Sequence, residues 1–159
     1  MKSKASSGDG TKLIAANRRA FHEYFIIDKL EVGIALAGSE LRPCRESRVN
    51  LKDGYAEAVN GQLWLNEVHI GSNPFSNRLD HAPLRKRRLL AHKREIIKLQ
   101  QKLQVAGHTL IPLRMYFKSG RVKVELGLAK GKAQYDKRET IAKKDLKREL
   151  DREMSERRR

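Results

Sequence analysis

Residues 111–128 read IPLRMYFKSGRVKVELGL, and this stretch decides the fold class. Apolar side chains recur at every second position on both sides of a central Lys-Ser-Gly: Ile111, Leu113, Met115 and Phe117, then Val122, Val124, Leu126 and Leu128. A period of two is typical of strands with one buried face, and the glycine predicts a tight turn between them. Pro112 lacks the N–H that a sheet ladder needs, so we expect an edge position or a bulge there. The stretch therefore predicts a long antiparallel hairpin.

Three further strands are predicted upstream of this hairpin. Residues 24–37 alternate, with these side chains on one face: Leu30, Val32, Ile34 and Leu36. Residues 55–59 and 62–70 flank Asn60-Gly61, the strongest short-range signal for a two-residue hairpin turn. At least five strands without β-α-β alternation predict a mainly β fold with peripheral helices, an OB-like small β-barrel. An open α+β sheet is the alternative.

Two helices are predicted between the strands. Residues 40–49 place Leu41, Cys44 and basic side chains at helical spacing, with Ser39 as the N-cap, and Pro43 favours a position at the helix start. Residues 84–105 carry a one-sided apolar stripe opposite a strongly basic face. A proline before this segment and a glycine after it mark the two ends of the second helix.

Composition divides the chain into a leader, a barrel and a tail. Residues 1–12 contain almost nothing apolar and are predicted to be a flexible basic leader. Residues 13–129 form the predicted OB-like RNA-binding barrel. Residues 130–159 are a basic C-terminal tail. Apolar residues recur in it at every fourth position, and Glu139 with Lys143 would form a favourable i,i+4 ion pair on a helix. We expect this tail to become helical on a partner rather than to pack on the barrel.

The charge balance points to a polyanionic partner. Lys and Arg number 35 against 19 Asp and Glu, a net charge of +16. Nucleic acid is the first candidate, and aromatic side chains among the basic clusters offer stacking planes of the kind that looped RNA uses. Cys44 is the only cysteine, which excludes a disulfide framework and a cysteine-based zinc site and fits a reducing compartment. Because no apolar run is long enough for a membrane span, we expect a cytoplasmic protein without membrane attachment.

Motifs for catalysis and cofactor binding are weak. Residues 127–133 resemble a phosphate-binding loop, but the glycine spacing is one residue short and Ala133 replaces the hydroxyl residue. The five histidines lack zinc-site spacing, so neither a metal nor a cofactor is expected. Without a nucleophile motif or paired carboxylates, we expect no enzyme activity. Glu40 has two interpretations: an acid favourable to the helix dipole, or an acceptor for a base or ribose hydroxyl.

A series of short motifs carries a family resemblance. They are NRRAFHEYFI at 17–26, EVGIAL at 31–36, GSEL at 38–41, NLKDGY at 50–55, RKRRLL at 85–90 with His92, and AKGK at 129–132 followed by YDKR at 135–138. Taken in order over about residues 13 to 150, they resemble the SmpB family of SsrA-binding proteins. Each motif alone is modest, whereas the series with matching gaps is highly specific.

The resemblance implies a function without catalysis. It implies a barrel that binds transfer-messenger RNA at its tRNA-like domain and delivers that RNA to stalled ribosomes for trans-translation. The tail would become helical in the empty mRNA channel, beside the decoding centre, and so sense a ribosome without a codon. We expect a monomer in the free form.

The resemblance also implies the site residues. The RNA-binding set is Asn17, Arg18, Arg19, Glu40, Arg45, Asn50, Arg85, Arg87 and Arg88. The ribosome-binding set is His22, Lys130, Gly131, Lys132, Tyr135, Asp136, Lys137 and Arg138. Two rival functions are a structural ribosomal protein with a basic extension, and an RNA-processing enzyme that uses His22 and Glu23.

Overall fold

The structure is a computed structural model that describes residues 10–76 and 80–156, except for the side chain of Tyr135. Its strands are β1 (Thr11–Ala16), β2 (Tyr24–Ile34), β3 (Val49–Asn50), β4 (Tyr55–Val59), β5 (Gln62–Asn66), β6 (His69–Ile70), β7 (Arg87–Leu90), β8 (His108–Lys118) and β9 (Arg121–Gly131). Its helices are α1 (Arg18–Glu23), α2 (Gly38–Arg45), α3 (Lys93–Leu103) and α4 (Gln134–Glu156). In this described part of the chain, no helix is long and apolar enough to cross a lipid bilayer.

The main sheet closes on itself. Its strand order is β1-β8-β4-β5-β7-β2-β9, and β8 also pairs with β9. This pairing completes a ring of six antiparallel strands, with β1 added along β8, while β3 and β6 form a separate two-stranded sheet. The mainly β barrel is therefore confirmed, and the open α+β alternative is wrong.

The hairpin at 111–128 is confirmed, with a bulge at its proline. Ser119 and Gly120 form the turn with φ of 49° and 74°, and the β8–β9 register shifts between Pro112 and Arg114. The predicted single apolar face is wrong before this bulge, because the extra residue moves Leu113 out of register. Leu110 and Met115 enter the main core, whereas two predicted core residues form a smaller cluster with two alanines: Ile111 and Leu113 with Ala20 and Ala129.

The second predicted hairpin is also confirmed, but its return strand is shorter. Asn60 and Gly61 have φ of 51° and 71°, as a two-residue turn between β4 and β5 requires. The sequence predicts that this strand continues to residue 70. It ends at Asn66 instead, because Glu67 adopts a φ of 55°. The chain then turns away from β4 and pairs as β6 with β3.

The helix predicted over residues 84–105 is wrong in its first half. Residues 87–90 form β7, which lies between β5 and β2 and is needed to close the barrel. Arg87 and Leu89 are buried while Arg88 and Leu90 are exposed, so the segment has the period of a strand. Cations usually lie at the surface, so the sequence pattern placed Arg87 on the polar face of a helix. In the structure this residue is buried instead. The helix α3 begins only at Lys93.

Three smaller differences concern helix boundaries. The residue that caps α2 is Ala37 rather than Ser39, and Pro43 lies inside the helix instead of at its start. The short helix α1 was not predicted. Thr11 and Lys12 belong to β1, and β9 runs to Gly131. The barrel strands therefore extend beyond the predicted bounds of 13 and 129. Most of the predicted leader, residues 1–9, lies outside the described residues.

Candidate RNA interface

Asn17 is a buried connection between three parts of the fold. Its Oδ1 accepts a hydrogen bond from the Ala20 N–H at 3.1 Å, which caps α1. Its Nδ2 donates to the carbonyls of Leu51 and Pro112, both at 3.2 Å, and its backbone N–H donates to Leu113 at 2.8 Å. Only 4% of the residue is exposed. Asn17, predicted to contact RNA, instead positions α1 against β8 and the loop after β3.

This connection creates a pocket of about 370 Å³, called here the α1 pocket. It is lined by Asn17, Arg19, Ala20, Glu23, Tyr24, Lys52, Asp53, Gly54, Tyr55, Thr109 and Ile111. The Arg19 guanidinium contacts the Glu23 carboxylate at 2.5 Å, and that hydrogen bond raises the pKa of Arg19 above its usual value. Two cations and two carboxylates line the pocket, so its charges balance. Such a lining suits base edges and ribose hydroxyls, which both donate and accept hydrogen bonds.

Three further predicted RNA-binding residues, Arg18, Arg45 and Asn50, lie on α1, α2 and β3. Arg18 is exposed at the first position of α1. Asn50 accepts a hydrogen bond from the Lys52 N–H at 2.9 Å, and this turn orients the loop that brings Lys52 to the pocket. Arg45 is exposed at the end of α2, where its carbonyl accepts a hydrogen bond from Lys12 at 3.2 Å. Of the predicted RNA-binding residues, Asn17 and Arg19 line the pocket, whereas Arg18 and Asn50 lie within two positions of lining residues in the sequence and Arg45 lies on α2.

Glu40, Arg85 and Arg87 form a second group, called here the buried charge cluster. The Glu40 carboxylate is fully buried and accepts hydrogen bonds from Arg87 Nε at 2.7 Å and from Arg85 Nη2 at 2.6 Å. It also accepts the backbone N–H of Ala37 at 2.8 Å, which caps α2. The first-turn interpretation of Glu40 is thus confirmed. The carboxylate is enclosed, so it presents no surface to an RNA base.

Arg87 is enclosed as completely as Glu40. Its guanidinium donates to three backbone carbonyls as well as to Glu40: those of Val68 at 2.7 Å, Arg85 at 3.0 Å and Pro83 at 3.0 Å. Direct RNA contact was predicted for Glu40 and Arg87, but the structure gives both residues a structural role. Arg85, whose side chain is 33% exposed, is the member of the cluster that reaches the surface.

The cluster keeps Glu40 ionised at neutral pH. Burial alone would raise the pKa of Glu40, but hydrogen bonds from Arg85 and Ala37 and the charge of Arg87 outweigh it, and the net pKa is lowered. Burial lowers the pKa of Arg87, and the Glu40 charge opposes that change. A buried carboxylate between two guanidinium groups satisfies their charges without solvent. The cluster therefore joins α2 to β7, and also to the segments that carry the Val68 and Pro83 carbonyls.

Arg88 lies on the outer face of the same strand. It is exposed and stands opposite Trp64 in the β5–β7 register. Arg87 and Arg88 thus point to opposite sides of the barrel wall, and of the two only Arg88 is available to RNA.

The predicted ribosome-binding residues meet where the barrel ends. Lys132 donates through its backbone N–H to the Glu23 carbonyl at 2.9 Å, and its ammonium donates to the Phe21 carbonyl at 3.2 Å and to Thr140 at 3.3 Å. The same ammonium lies 4.9 Å from the centre of the Phe25 ring. We call these residues, Phe21, Phe25, Lys132 and Thr140, the tail junction. It fastens the start of α4 to α1.

The other members of that set lie on three elements around the tail junction. His22 is exposed in the last turn of α1. Lys130 and Gly131 belong to β9, opposite Phe25 and Tyr24 of β2. The remaining members lie in the first two turns of α4: Tyr135, Asp136, Lys137 and Arg138. The Asp136 carbonyl accepts the Thr140 hydroxyl at 2.8 Å.

The rest of α4 projects its charges into solvent. The predicted pair of Glu139 and Lys143 is present at 3.8 Å. Large apolar side chains along the helix stay about half exposed: Ile141, Leu146, Leu150 and Met154. The tail is thus already helical over Gln134–Glu156 in the chain by itself, and the predicted formation of this helix on a partner stays a prediction.

Sequence reasoning missed two residue groups at these sites. Lys52 lines the α1 pocket, and its signal was the turn sequence Asn50-Leu-Lys-Asp-Gly54, in which the Asn50 side chain accepts the Lys52 N–H. Phe25 and Thr140 complete the tail junction, but nothing in their local sequence connects residues so far apart. These contacts depend on the β2–β9 pairing.

Motifs for other chemistry are accounted for by the fold. The apparent phosphate loop at 127–133 is the end of β9, and a Cβ at Gly127 would lie 2.9 Å from Leu113 Cδ1, so this glycine allows close packing. Glu23, which the enzyme hypothesis pairs with His22, is engaged by Arg19. Cys44 is buried, and burial raises the pKa of its thiol to about 11. Within the described ranges, no three His, Cys, Asp or Glu side chains are grouped as metal ligands.

Comparisons with known proteins find relatives over most of the chain. The family model described as SmpB protein matches residues 14–156. An SsrA-binding protein of Desulfitobacterium hafniense is 50% identical over 146 residues, covering 92% of this chain and 94% of the relative. One from Thermobifida fusca is 48% identical over 157 residues, covering 99% and 98%.

A solved structure extends the agreement to the fold. It is described as "tmRNA-SmpB: a journey to the center of the bacterial ribosome", and one of its chains matches with a TM-score of 0.65 and 38% identity, over 80% of this chain and 93% of that chain. With the family model covering nearly the whole barrel and tail, this chain belongs to the SmpB family of SsrA-binding proteins.

Proposed function

We propose that this protein binds transfer-messenger RNA through its barrel, at the tRNA-like domain, and delivers that RNA to stalled ribosomes for trans-translation. The observation that carries the proposal is the position of α1. Asn17 fixes one end of α1 at the α1 pocket, and Lys132 fixes its other end to the start of α4. One short helix thus connects a surface suited to RNA with the tail.

The predicted RNA-binding residues divide into two roles. Exposed or partly exposed side chains contact the RNA: Arg18, Arg19, Arg45, Asn50, Arg85 and Arg88. Asn17, Glu40 and Arg87 are positioning residues, because they hold α1, α2 and β7 in place from inside the fold. Loss of a positioning residue weakens RNA binding through the fold, whereas loss of a contact residue weakens it with the fold intact.

The tail is the proposed ribosome sensor. Residues His22, Lys130, Gly131, Lys132, Tyr135, Asp136, Lys137 and Arg138 surround its start and would face the decoding centre. Beyond them, α4 displays cations and uncovered apolar side chains along its length, as expected for a helix that lies in a channel walled by RNA. The mRNA channel is open to this helix only when no codon occupies it.

The proposal is one of binding, not of catalysis, and names RNA and the ribosome as the partners. It places the protein in the cytoplasm, where those partners are, as a monomer before it binds. A net charge of +16 supports an association dominated by phosphate contacts.

Binding of the full-length protein to a tRNA-like-domain transcript, against an equal-length tRNA competitor, tests the proposal. We expect strong preference for the tRNA-like domain, and an affinity that falls with salt by a logarithmic slope of about −0.7 to −0.9 per phosphate contact. Arg18→Ala and Arg19→Ala should weaken binding, because Arg19 lines the α1 pocket and Arg18 is exposed next to it on α1. Arg121→Ala, at the β8–β9 turn, is the matched control and should bind as the wild type does.

Two results would contradict the proposal. Equal binding to both RNAs would reduce the function to general RNA binding. Stable, stoichiometric residence on all ribosomes, whatever the RNA supplied, would favour the structural ribosomal protein instead.

A further inference from the structure

Phe75 is the most exposed of the large apolar side chains that the structure describes. It lies in the loop between β6 and β7, and 70% of its surface is accessible. The guanidinium of Arg42 on α2 stacks on it, with Cζ 3.9 Å from the ring centre. A single exposed phenylalanine is ordinary, but one whose open ring is contacted by an arginine guanidinium has the chemistry of a base-stacking surface.

Hydrogen bonds within the loop hold the ring in its exposed position. The side chain of Asn73 accepts the Phe75 N–H at 3.2 Å, and the Asn73 carbonyl accepts the Ser76 N–H at 3.0 Å. The Asn73 N–H in turn donates to the Asp80 carboxylate at 3.1 Å. These hydrogen bonds therefore fix the turn, and the turn holds the Phe75 ring at the surface.

The arginine side of the pair is also fixed. Arg42 Nε donates to the Glu46 carboxylate at 3.0 Å, and Arg48 contacts the second oxygen of the same carboxylate at 2.6 Å. Arg48 ties α2 to the loop, because it donates to the Ser72 carbonyl at 2.8 Å and its own carbonyl accepts the Gly71 N–H at 2.9 Å. The Arg42 plane is thus held over one face of the ring, and most of the ring stays open.

The surroundings of the open ring favour a nucleic acid base over an apolar protein segment. Residues 42–48 contain three arginines and one glutamate, so the neighbourhood keeps a positive charge after Glu46 is paired. Aromatic rings and arginine planes are the groups on which unpaired bases stack, while nearby cations meet the phosphates. An apolar peptide would offer no counter-charge for the positive charge that remains after Glu46 is paired.

Arg48 connects the pair to the segment of chain that leads to the α1 pocket. Arg48 is followed directly by β3, and the chain from Arg48 to Lys52 spans at most about 14 Å. One RNA strand that contacts Lys52 at the α1 pocket can therefore reach Phe75 within a few nucleotides.

We propose that Phe75 and Arg42 form a stacking platform for an unpaired base of the bound RNA, with Arg48 beside the adjoining phosphate. The proposal rests on the RNA-binding function proposed above and adds a contact outside the predicted site residues. The base can come from the tRNA-like domain or from ribosomal RNA, and both offer the same chemistry.

Tryptophan fluorescence of a Phe75→Trp variant of the full-length protein tests the platform. Base stacking quenches indole emission, and the wild type, whose one tryptophan is Trp64, supplies the background. We expect quenching beyond the wild-type change when a tRNA-like-domain transcript is added, or when purified ribosomes without that RNA are added. The arm that quenches identifies the source of the base.

Affinities of matched variants complete the test. With the RNA that quenches, Phe75→Ala should bind about 5- to 150-fold more weakly, and Phe75→Tyr should bind as the wild type does, because it keeps the ring. Arg42→Ala should weaken binding, whereas the control Arg121→Ala should not. Thermal unfolding of each variant establishes that the fold is intact.

The outcomes separate this proposal from the proposed function. If Phe75→Trp shows no extra quenching with either partner and Phe75→Ala binds both as the wild type does, the platform is overturned while RNA binding stands. If the wild type itself shows no preference for the tRNA-like domain, the proposed function fails, and quenching by ribosomes alone would still support the platform.

Discussion

The buried charge cluster and α4 are both rich in charge, yet the fold uses their charges in opposite ways. In the cluster, Glu40 and Arg87 are fully enclosed and their hydrogen bonds end within the protein. In α4, the ion pairs are longer, at 3.8 Å for Glu139 with Lys143 and 3.5 Å for Asp145 with Arg148, and the side chains are exposed. Burial, not the number of charges, decides whether a charged residue stabilises the fold or is available to a partner.

The apolar residues of the two regions differ in the same way. Around the cluster, side chains such as Leu65, Val68 and Ile70 are completely buried. Along α4, Leu146 and Met154 remain 59% and 57% exposed. The barrel therefore owes little of its stability to α4, and α4 keeps a surface for binding.

Removing α4 should give the largest functional effect with the smallest effect on the fold. A protein that ends after Arg138 keeps the tail junction residue Lys132 and the whole barrel, but loses most of the exposed helix. We expect tagging on stalled ribosomes to be abolished, while affinity for the tRNA-like domain is largely kept, because the cationic side chains of the barrel remain in place. A reconstituted tagging assay and a binding titration measure the two effects.

The truncation has a matched control in the full-length protein. Replacing only the exposed Lys143 and Lys144 with alanine removes charge but keeps the helix, and should reduce tagging less than truncation does. Normal tagging by the truncated protein would show that the tail is not the sensor.

Breaking the buried charge cluster should instead have its main effect on the stability of the fold. Glu40→Gln keeps the shape of the side chain but leaves Arg87 without its counter-charge in the interior. Removing one partner of a buried ion pair costs about 3–5 kcal/mol of unfolding free energy. Urea denaturation of the variant measures this loss.

Glu149→Gln is the control, because Glu149 lies exposed on α4. Its unfolding free energy should stay within about 0.5 kcal/mol of the wild type. If Glu40→Gln were as stable as the wild type but bound RNA poorly, Glu40 would be a direct contact, and its role as a positioning residue would be wrong.

The same contrast explains how much the sequence could predict. The two hairpins were predictable because Asn60-Gly61 and Ser119-Gly120 specify their turns and the apolar residues alternate around them. The strand β7 was not predictable, because a buried arginine looks like a surface residue until its partner is known. That partner, Glu40, is 47 residues away in the chain.

The candidate site was predictable as a set of residues but not as a set of roles. The motif series identified Asn17, Arg19 and Glu40 without distinguishing an enclosed amide from an exposed guanidinium. Only the fold shows that Asn17 bonds to the Leu51 and Pro112 carbonyls. Lys52 and Phe75 lay outside the predicted site, because neither belongs to a recognised cationic cluster.

The smallest expected effect is a change in stability with pH that belongs to the buried charge cluster. The cluster lowers the pKa of Glu40 when the protein is folded, whereas the unfolded chain has the ordinary value of about 4.3. A lowered folded pKa means that the unfolded state takes up a proton first as the pH falls. The stability that Glu40 contributes is therefore complete above about pH 5 and is lost as the pH falls through the lowered pKa.

Glu40→Gln cannot gain this proton, so the variant lacks that part of the pH dependence. We expect the stability difference between the wild type and Glu40→Gln to narrow as the pH falls below about 5, when urea midpoints are measured at each pH. Glu149→Gln, which leaves the buried charge cluster intact, is again the control. A wild-type curve parallel to that of Glu40→Gln would mean that Arg85 and Arg87 do not stabilise the charged form of Glu40, and the distinction between the two charge-rich regions would then rest on packing alone.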